Sequence, residues 1–316
     1  MDRKTNLEHF LIYYRDFAKK YPDFYMSRDY FYEQLRRYGI PNYDDSISYE
    51  GFFRYWKERY GNKPNINVRE DKQQPEFLQF SNSHNKSNHI KMYLSIPSDM
   101  LQVTANIIFD YLANNNIGHQ SKIANKDCSD VLILRLEDVN DVPKVLSFIN
   151  NKQTLKRISR PINPFIMNNG ILGITFDGSL SYNMTVALVL EKYFNERKST
   201  NSLDYVSLED FKNYVSSFYN DTFVNKSKIS EFIGRKDIQD ELSDFKKFSP
   251  NDNLLQEKML INYMYVVSNI SIALNTNDYN KLLDNYFKYN NDINNPDLIY
   301  EFSSLEHDSR NNKPLH

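Results

Sequence analysis

Seven residues just under a third of the way along the chain, Ile90-Lys-Met-Tyr-Leu-Ser-Ile96, alternate strictly between apolar and polar side chains. A strand points successive side chains to opposite faces, so Ile90, Met92, Leu94 and Ile96 share one face and Lys91, Tyr93 and Ser95 the other. Pro97 closes this strand. Ser98 or Asp99 can cap a following helix whose Leu101, Ala105, Ile108 and Leu112 form a stripe, ended by Asn114-Asn-Asn116 and Gly118. A short strand over residues 119–124 puts Gln120 and Lys122 on one face, Ser121 and Ile123 on the other. Val131-Leu-Ile-Leu-Arg-Leu136 is almost continuously apolar, the pattern of a central strand buried on both sides. Asp141-Val-Pro opens a helix with Val142, Val145, Leu146 and Ile149 inward. This succession predicts an α+β domain around a small mixed sheet.

The flanks read as helical. Leu7, Phe10, Leu11, Tyr14 and Phe17 recur at helical spacing; Ser27 caps a second helix and Ser48 a third that carries Phe52, Phe53, Trp56 and Tyr60. Residues 62–88 lose the apolar period and fill with Asn, Lys, Gln, Ser and Pro, the composition of a linker or mobile loop. Residues 157–179 hold Gly170, Gly173 and Gly178 with two prolines and read as a loop of turns. Beyond them Ser181 caps a helix, Ser207-Leu-Glu-Asp210 resembles a capping box, and residues 254–274 carry the strongest apolar period in the chain. The tail after Asn290 is expected to fray. The expected division is a helical region at 1–61, the linker at 62–88, an α+β domain at 89–198 and a helical region at 199–316.

Composition closes off several classes. With 39 Lys and Arg against 41 Asp and Glu, the chain as a whole has no electrostatic reason to seek nucleic acid or an anionic membrane. One cysteine, Cys128, excludes an internal disulfide and a cysteine zinc site, and fits a reducing compartment. The six histidines make no i, i+4 pair beside a carboxylate, so no metal is expected. Walker A, G-x-G-x-x-G, G-x-S-x-G and H-x-E with C-x-x-C motifs are all absent, and no cofactor is expected. No apolar run reaches membrane-spanning length and no signal peptide is visible, which gives a cytoplasmic expectation. The Asn- and Lys-rich usage resembles that of an AT-rich bacterial or phage genome.

What remains is a set of cations near one strand: Lys91 beside Tyr93, then Lys122, with Lys126 and Arg135 nearby. The bland reading makes Lys91 and Tyr93 solvent-facing residues of an ordinary strand. The sharper one notes that a phosphate dianion wants several charged donors, and that a lysine crowded by cations loses its proton more readily and can act as a base. Cys128 has no triad-like neighbourhood and reads as buried or inert.

Lys91-Met-Tyr93 on an opening strand, a helix, then Lys122 on the next strand resembles the phosphothreonine lyase superfamily. That group includes type III secretion effectors, the lyase domains of lanthipeptide synthetases and the HopA-type effector proteins. Further short segments are similar: Arg160-Pro-Ile-Asn-Pro-Phe165, Asn168-Asn-Gly-Ile-Leu-Gly173 and Ser181-Tyr-Asn183. The resemblance covers about a third of the chain. It implies that Lys91 binds phosphate, Tyr93 is the general acid and Lys122 takes the α-proton, with Lys126, Arg135 and Arg160 as further phosphate ligands and His119 and Ser181 as other candidates. Asn183 stands where the family has Gly, Thr185 or Val186 where it has Arg. Of Lys126, Cys128 and Asp130, only Lys126 can replace the arginine usual before the central strand.

The resemblance therefore implies β-elimination of phosphate from phosphoserine or phosphothreonine in a peptide or protein, giving dehydroalanine or dehydrobutyrine. A partner kinase, and a cytoplasmic or secreted-effector setting, belong to the same implication. Two alternatives stay open: a catalytically inactive effector or regulatory protein-binding module on the same scaffold, and a phosphopeptide-binding module that never eliminates.

Overall fold

The structure, a computed structural model, describes residues 2–40, 50–70, 76–82, 90–176, 181–240 and 255–293. Ser48, Gly178 and the tail beyond residue 293 lie outside these. The chain groups into two compact units, residues 32–175 and residues 1–31 with 176–316.

In the first unit one sheet runs in the order β1-β2-β4-β5-β3-β7-β6, made of β1 (Asn67–Glu70), β2 (Phe77–Asn82), β3 (Ile90–Leu94), β4 (His119–Ala124), β5 (Leu132–Arg135), β6 (Met167–Asn169) and β7 (Leu172–Phe176). The pairs β1–β2, β2–β4, β4–β5, β5–β3 and β6–β7 are antiparallel. The α+β class with helical stretches on either side in sequence is as expected; the sheet is larger than expected. Strands β1 and β2 lie inside residues 62–88, where no strand was foreseen. The first is an exposed edge strand of sequence Asn-Val-Arg-Glu, so it lacks an apolar signature; Leu78 and Phe80 of the second are fully buried.

Register sorts the side chains. Leu78, Phe80, Ile123, Leu132, Leu134, Met92 and Leu94 fall on one face because Leu78 pairs with Ile123, Ile123 with Leu132, and Met92 and Leu94 with Leu134 and Leu132. Helix α4 (Ser98–Asn114) stacks its Phe109 ring on Phe80 at 4.0 Å and 8°, and Trp56 of α3 (Glu50–Tyr60) meets Phe80 edge-on at 5.6 Å. The cap of α4 is Pro97, without a side-chain hydrogen bond, rather than Ser98 or Asp99, and Asn116 at φ 49° follows the helix end. Helices α5 (Val142–Asn150) and α6 (Gln153–Ile158) follow the last central strand.

Strands β6 and β7 replace the loop expected at residues 157–179. Gly173 reads as a breaker, yet a Cβ there would fall 2.6 Å from Ile166 Cγ2 and 3.0 Å from Ile162 Cδ1, so glycine is what lets those isoleucines cover the strand. Gly170, at φ +64°, makes the tight hairpin turn, and Asn150 clamps it, donating to Asn169 O at 3.2 Å and accepting from Ile171 N at 3.3 Å. A Cβ on Gly170 would fall inside the Asn150 carboxamide. Gly170→Ala should therefore destabilise the protein by about 2–3 kcal/mol, from left-handed strain plus lost clamp bonds. In an Asn150→Ala background only the strain, about 1 kcal/mol, should remain. Equal costs in both backgrounds, measured by denaturant unfolding, would rule out the clamp.

The second unit is helical: α1 (Arg3–Lys20), α7 (Tyr182–Ser199), α8 (Leu208–Tyr219), α9 (Lys226–Ile233), α10 (Leu255–Asn275) and α11 (Tyr279–Asp292), with α2 (Arg28–Arg37) crossing from this unit into the other. Ser27, Ser181 and Ser207 each accept the expected capping hydrogen bond, from Tyr30, Met184 and Asp210 N. Helix α7 is buried on most of its circumference, which is why its sequence shows little amphipathic contrast. Its Glu191 is buried with two partners, Tyr25 Oη and Arg235 Nη2, both at 2.8 Å. Among the described residues no helix is long and apolar enough to cross a membrane.

Candidate active site

The other face of the sheet is polar. Lys91 pairs across the ladder with Arg135, Tyr93 with Ile133, and Ile133 on its other side with Lys122, so three cations and a phenol from β3, β5 and β4 point the same way. The face is not a solvent face: Lys91 is 5% exposed, Tyr93 2% and Ser95 0%, which removes the bland reading of an ordinary exposed strand. A cover explains it. The second half of α2 docks on the loop before β5, where Ser129 N donates to Arg36 O at 2.7 Å and Ser129 Oγ to Leu35 O at 2.8 Å.

Burial sets the chemistry of the cluster. Desolvation, with Arg135 and then Lys122 adding repulsion, pulls the Lys91 ammonium well below the usual lysine range, and Asp130 opposes this. Arg135 is lowered as well, by burial. Tyr93 moves the other way: burial raises it, so it keeps its proton and can donate it. Thr175 on β7 has its buried hydroxyl beside this phenol. Lys122 is half-buried with its Nζ over the Phe77 ring, 4.0 Å from its centre.

Not every expected residue joins. Arg160 is committed elsewhere, with Nη1 donating to Asp127 Oδ2 and Nη2 to Ile96 O, each at 2.9 Å. Lys126 lies in the β4–β5 loop, outside the three strands that carry the cluster. Ser181 belongs to the other unit, where it caps α7. His119 pairs beside Ser121 on the apolar face, one residue out of step with Lys122. It is fully buried, stacked near Phe109, with Nδ1 3.0 Å from Ser121 Oγ. Cys128 is buried and its thiol is pushed well up by burial, so it is no nucleophile. No group of His, Cys, Asp or Glu among the described residues is arranged to hold a metal ion.

Burial lowers His119 to about 3, well under its ordinary 6.5. The stability it confers is complete above pH 6.5 and is lost as pH falls toward 3, because only the unfolded chain takes up the proton in that window. Between pH 6.5 and about pH 4 the loss amounts to roughly 3 kcal/mol. Unfolding titrations at the two pH values should show a correspondingly smaller acid loss for His119→Gln; equal losses would place the histidine in a solvated setting.

Three contributors escape the sequence reading: Tyr32 and Arg36 from α2, and Asp130. Asp130 is 6% exposed and lies within electrostatic reach of Lys91, Tyr93, Tyr32 and Arg36. Tyr32 and Arg36 stand one helical turn apart, the only local hint that they share a face.

No family model and no curated protein matches the chain. Among solved structures it is similar to that of the effector protein from Pseudomonas syringae pv. tomato strain DC3000, with a TM-score of 0.43 and 13% identity over 68% of this chain and 95% of that one. At that distance the functional reading rests on the site.

Proposed function

We propose that the chain is a phosphoserine/phosphothreonine lyase-like protein that eliminates phosphate from a phosphorylated peptide or protein. The observation that supports this reading is the convergence of Lys91, Arg135 and Lys122 with Tyr93 on one buried sheet face. Several cations gathered on one face supply the charged donors that a phosphate dianion needs.

In this reading the phosphate sits against Lys91 and Arg135. Its two negative charges favour the charged form of Lys91, and the charged Lys91 in turn eases the proton off Lys122, since neighbouring cations titrate as a coupled set. Neutral Lys122 takes the α-proton, the Cα–Cβ double bond forms as the Cβ–O bond breaks, and the bonding pair leaves with the phosphate. Tyr93 gives that phosphate a proton. Fixed cations facing a departing phosphate contribute several kcal/mol of transition-state stabilisation.

Incubation with phosphothreonine and phosphoserine peptides should release inorganic phosphate and leave a peptide lighter by phosphoric acid, with both changes lost in Lys122→Ala. A second reading, an inactive scaffold that binds a protein or phosphopeptide, is favoured by Asp130 standing among the cations and by the engagement of Arg160 with Asp127. Phosphopeptide binding without any change of mass would favour it over the lyase.

A further inference from the structure

The loop before β5 carries two aspartates, and their arginine partners are held in different ways. Arg160 closes on Asp127 at 2.9 Å and donates to the Ile96 carbonyl, its buried Nε alone left without a partner. Arg36 does not close. Its Nε stays 4.0 Å from Asp130 Oδ1 and its Nη1 3.6 Å from Glu33 Oε1, both beyond hydrogen-bonding distance. Yet the Arg36 side chain is only 16% exposed. Asp130 Oδ1 is buried without a hydrogen-bond partner, and the Cys128 thiol lies beside both Asp130 and Arg36. The backbone under these tips is nevertheless pinned by the two Ser129 hydrogen bonds to Arg36 O and Leu35 O.

A structural ion pair in such a place would be expected to close as the neighbouring one does, because a buried carboxylate oxygen left without a donor is costly. A firm mount with open donors is what a binding site presents before its ligand arrives. Arg36 also lies over the Tyr32 ring, 5.9 Å from its centre, and Asp130 stands within electrostatic reach of both Arg36 and Lys91.

We infer that Arg36 is a direct ligand of the substrate phosphate, resting against Asp130 in the free protein and turning its donor fork onto a phosphomonoester held by Lys91 and Arg135. This rests on the reading of the Lys91 face as a phosphate site. A guanidinium can give two parallel hydrogen bonds to a phosphate where an ammonium offers a point charge, so lysine at this position restores only part of the binding. Asp130 acts as the rest for Arg36 and as a competitor of the phosphate, so its neutralisation tightens binding.

The test is calorimetric titration of the whole chain with a phosphothreonine peptide and its unphosphorylated counterpart. Arg36→Gln should weaken the phosphopeptide at least ~10-fold and leave the unphosphorylated peptide unchanged, with Arg36→Lys between. Arg37→Gln, one residue on and more exposed, should stay within ~2-fold of the parent. If Arg36→Gln also lowers the melting temperature, Asp130→Asn decides: tighter phosphopeptide binding supports the inference and weaker binding overturns it. Parent affinity in Arg36→Gln overturns it too, as does a parent protein that binds no phosphopeptide. Elimination that proceeds unchanged in Arg36→Gln would sink this inference and leave the lyase standing. Arg36-dependent binding without elimination would do the reverse.

Discussion

Lys91→Met should make the protein more stable and at the same time remove its phosphate affinity. The substitution keeps nearly the same shape and takes away an ammonium that is buried opposite Arg135 and near Lys122. Its desolvation and its repulsion with Arg135 and Lys122 go with it, which should stabilise by about 1–3 kcal/mol and, for a chain of this size, raise the Tm by several degrees. Phosphopeptide affinity should fall at least ~100-fold and elimination should vanish, since the group that meets the dianion is gone. Thermal melts beside titration calorimetry give both numbers. A fall in Tm of several degrees would instead mark Lys91 as part of the structural framework, and the site would have to be sought elsewhere.

The opposite behaviour is expected on the other side of the sheet. Phe80 is completely buried between Phe109, Trp56 and Tyr60. Phe80→Ala should cost about 3–5 kcal/mol, a transfer loss plus an unfilled cavity, and Phe80→Leu only about 1 kcal/mol. Chemical denaturation measures this directly. A loss under about 1 kcal/mol for the alanine variant would mean that α3 and α4 collapse onto the gap. Because Gln79 and Lys122 pair across the same two strands, the alanine variant should also bind phosphopeptide less tightly.

What the sequence discloses and what it hides follow from the same geometry. A period of two tells which side chains share a face, and it correctly grouped Lys91 with Tyr93 and separated both from Met92 and Leu94. It carries no information on what lies over that face. Tyr32 on α2 and Asp130 stand close to that face from positions distant from Lys91 along the chain, so the burial of Lys91 is not legible in the sequence. Parity also explains His119: three residues from Lys122 looks close in sequence, but an odd offset in a strand sends the two side chains to opposite sides. Strand β1 was missed because an exposed edge strand needs no apolar residues. Strand β7 was missed because Gly173, which reads as punctuation, is there to accommodate Ile162 and Ile166.

The pairing of Lys91 with Arg135 has a consequence for how the chain finds its strand alignment. A slip of one residue between β3 and β5 would exchange the two sides of β3 and drive Lys91 and Tyr93 into the aromatic layer around Phe109. With plain apolar residues at those positions, the slipped pairing would be nearly as good as the native one. Charged groups that weaken the finished fold thus act as a proofreading device during its assembly. A more stable Lys91→Met protein should reach the native alignment with more errors along the way.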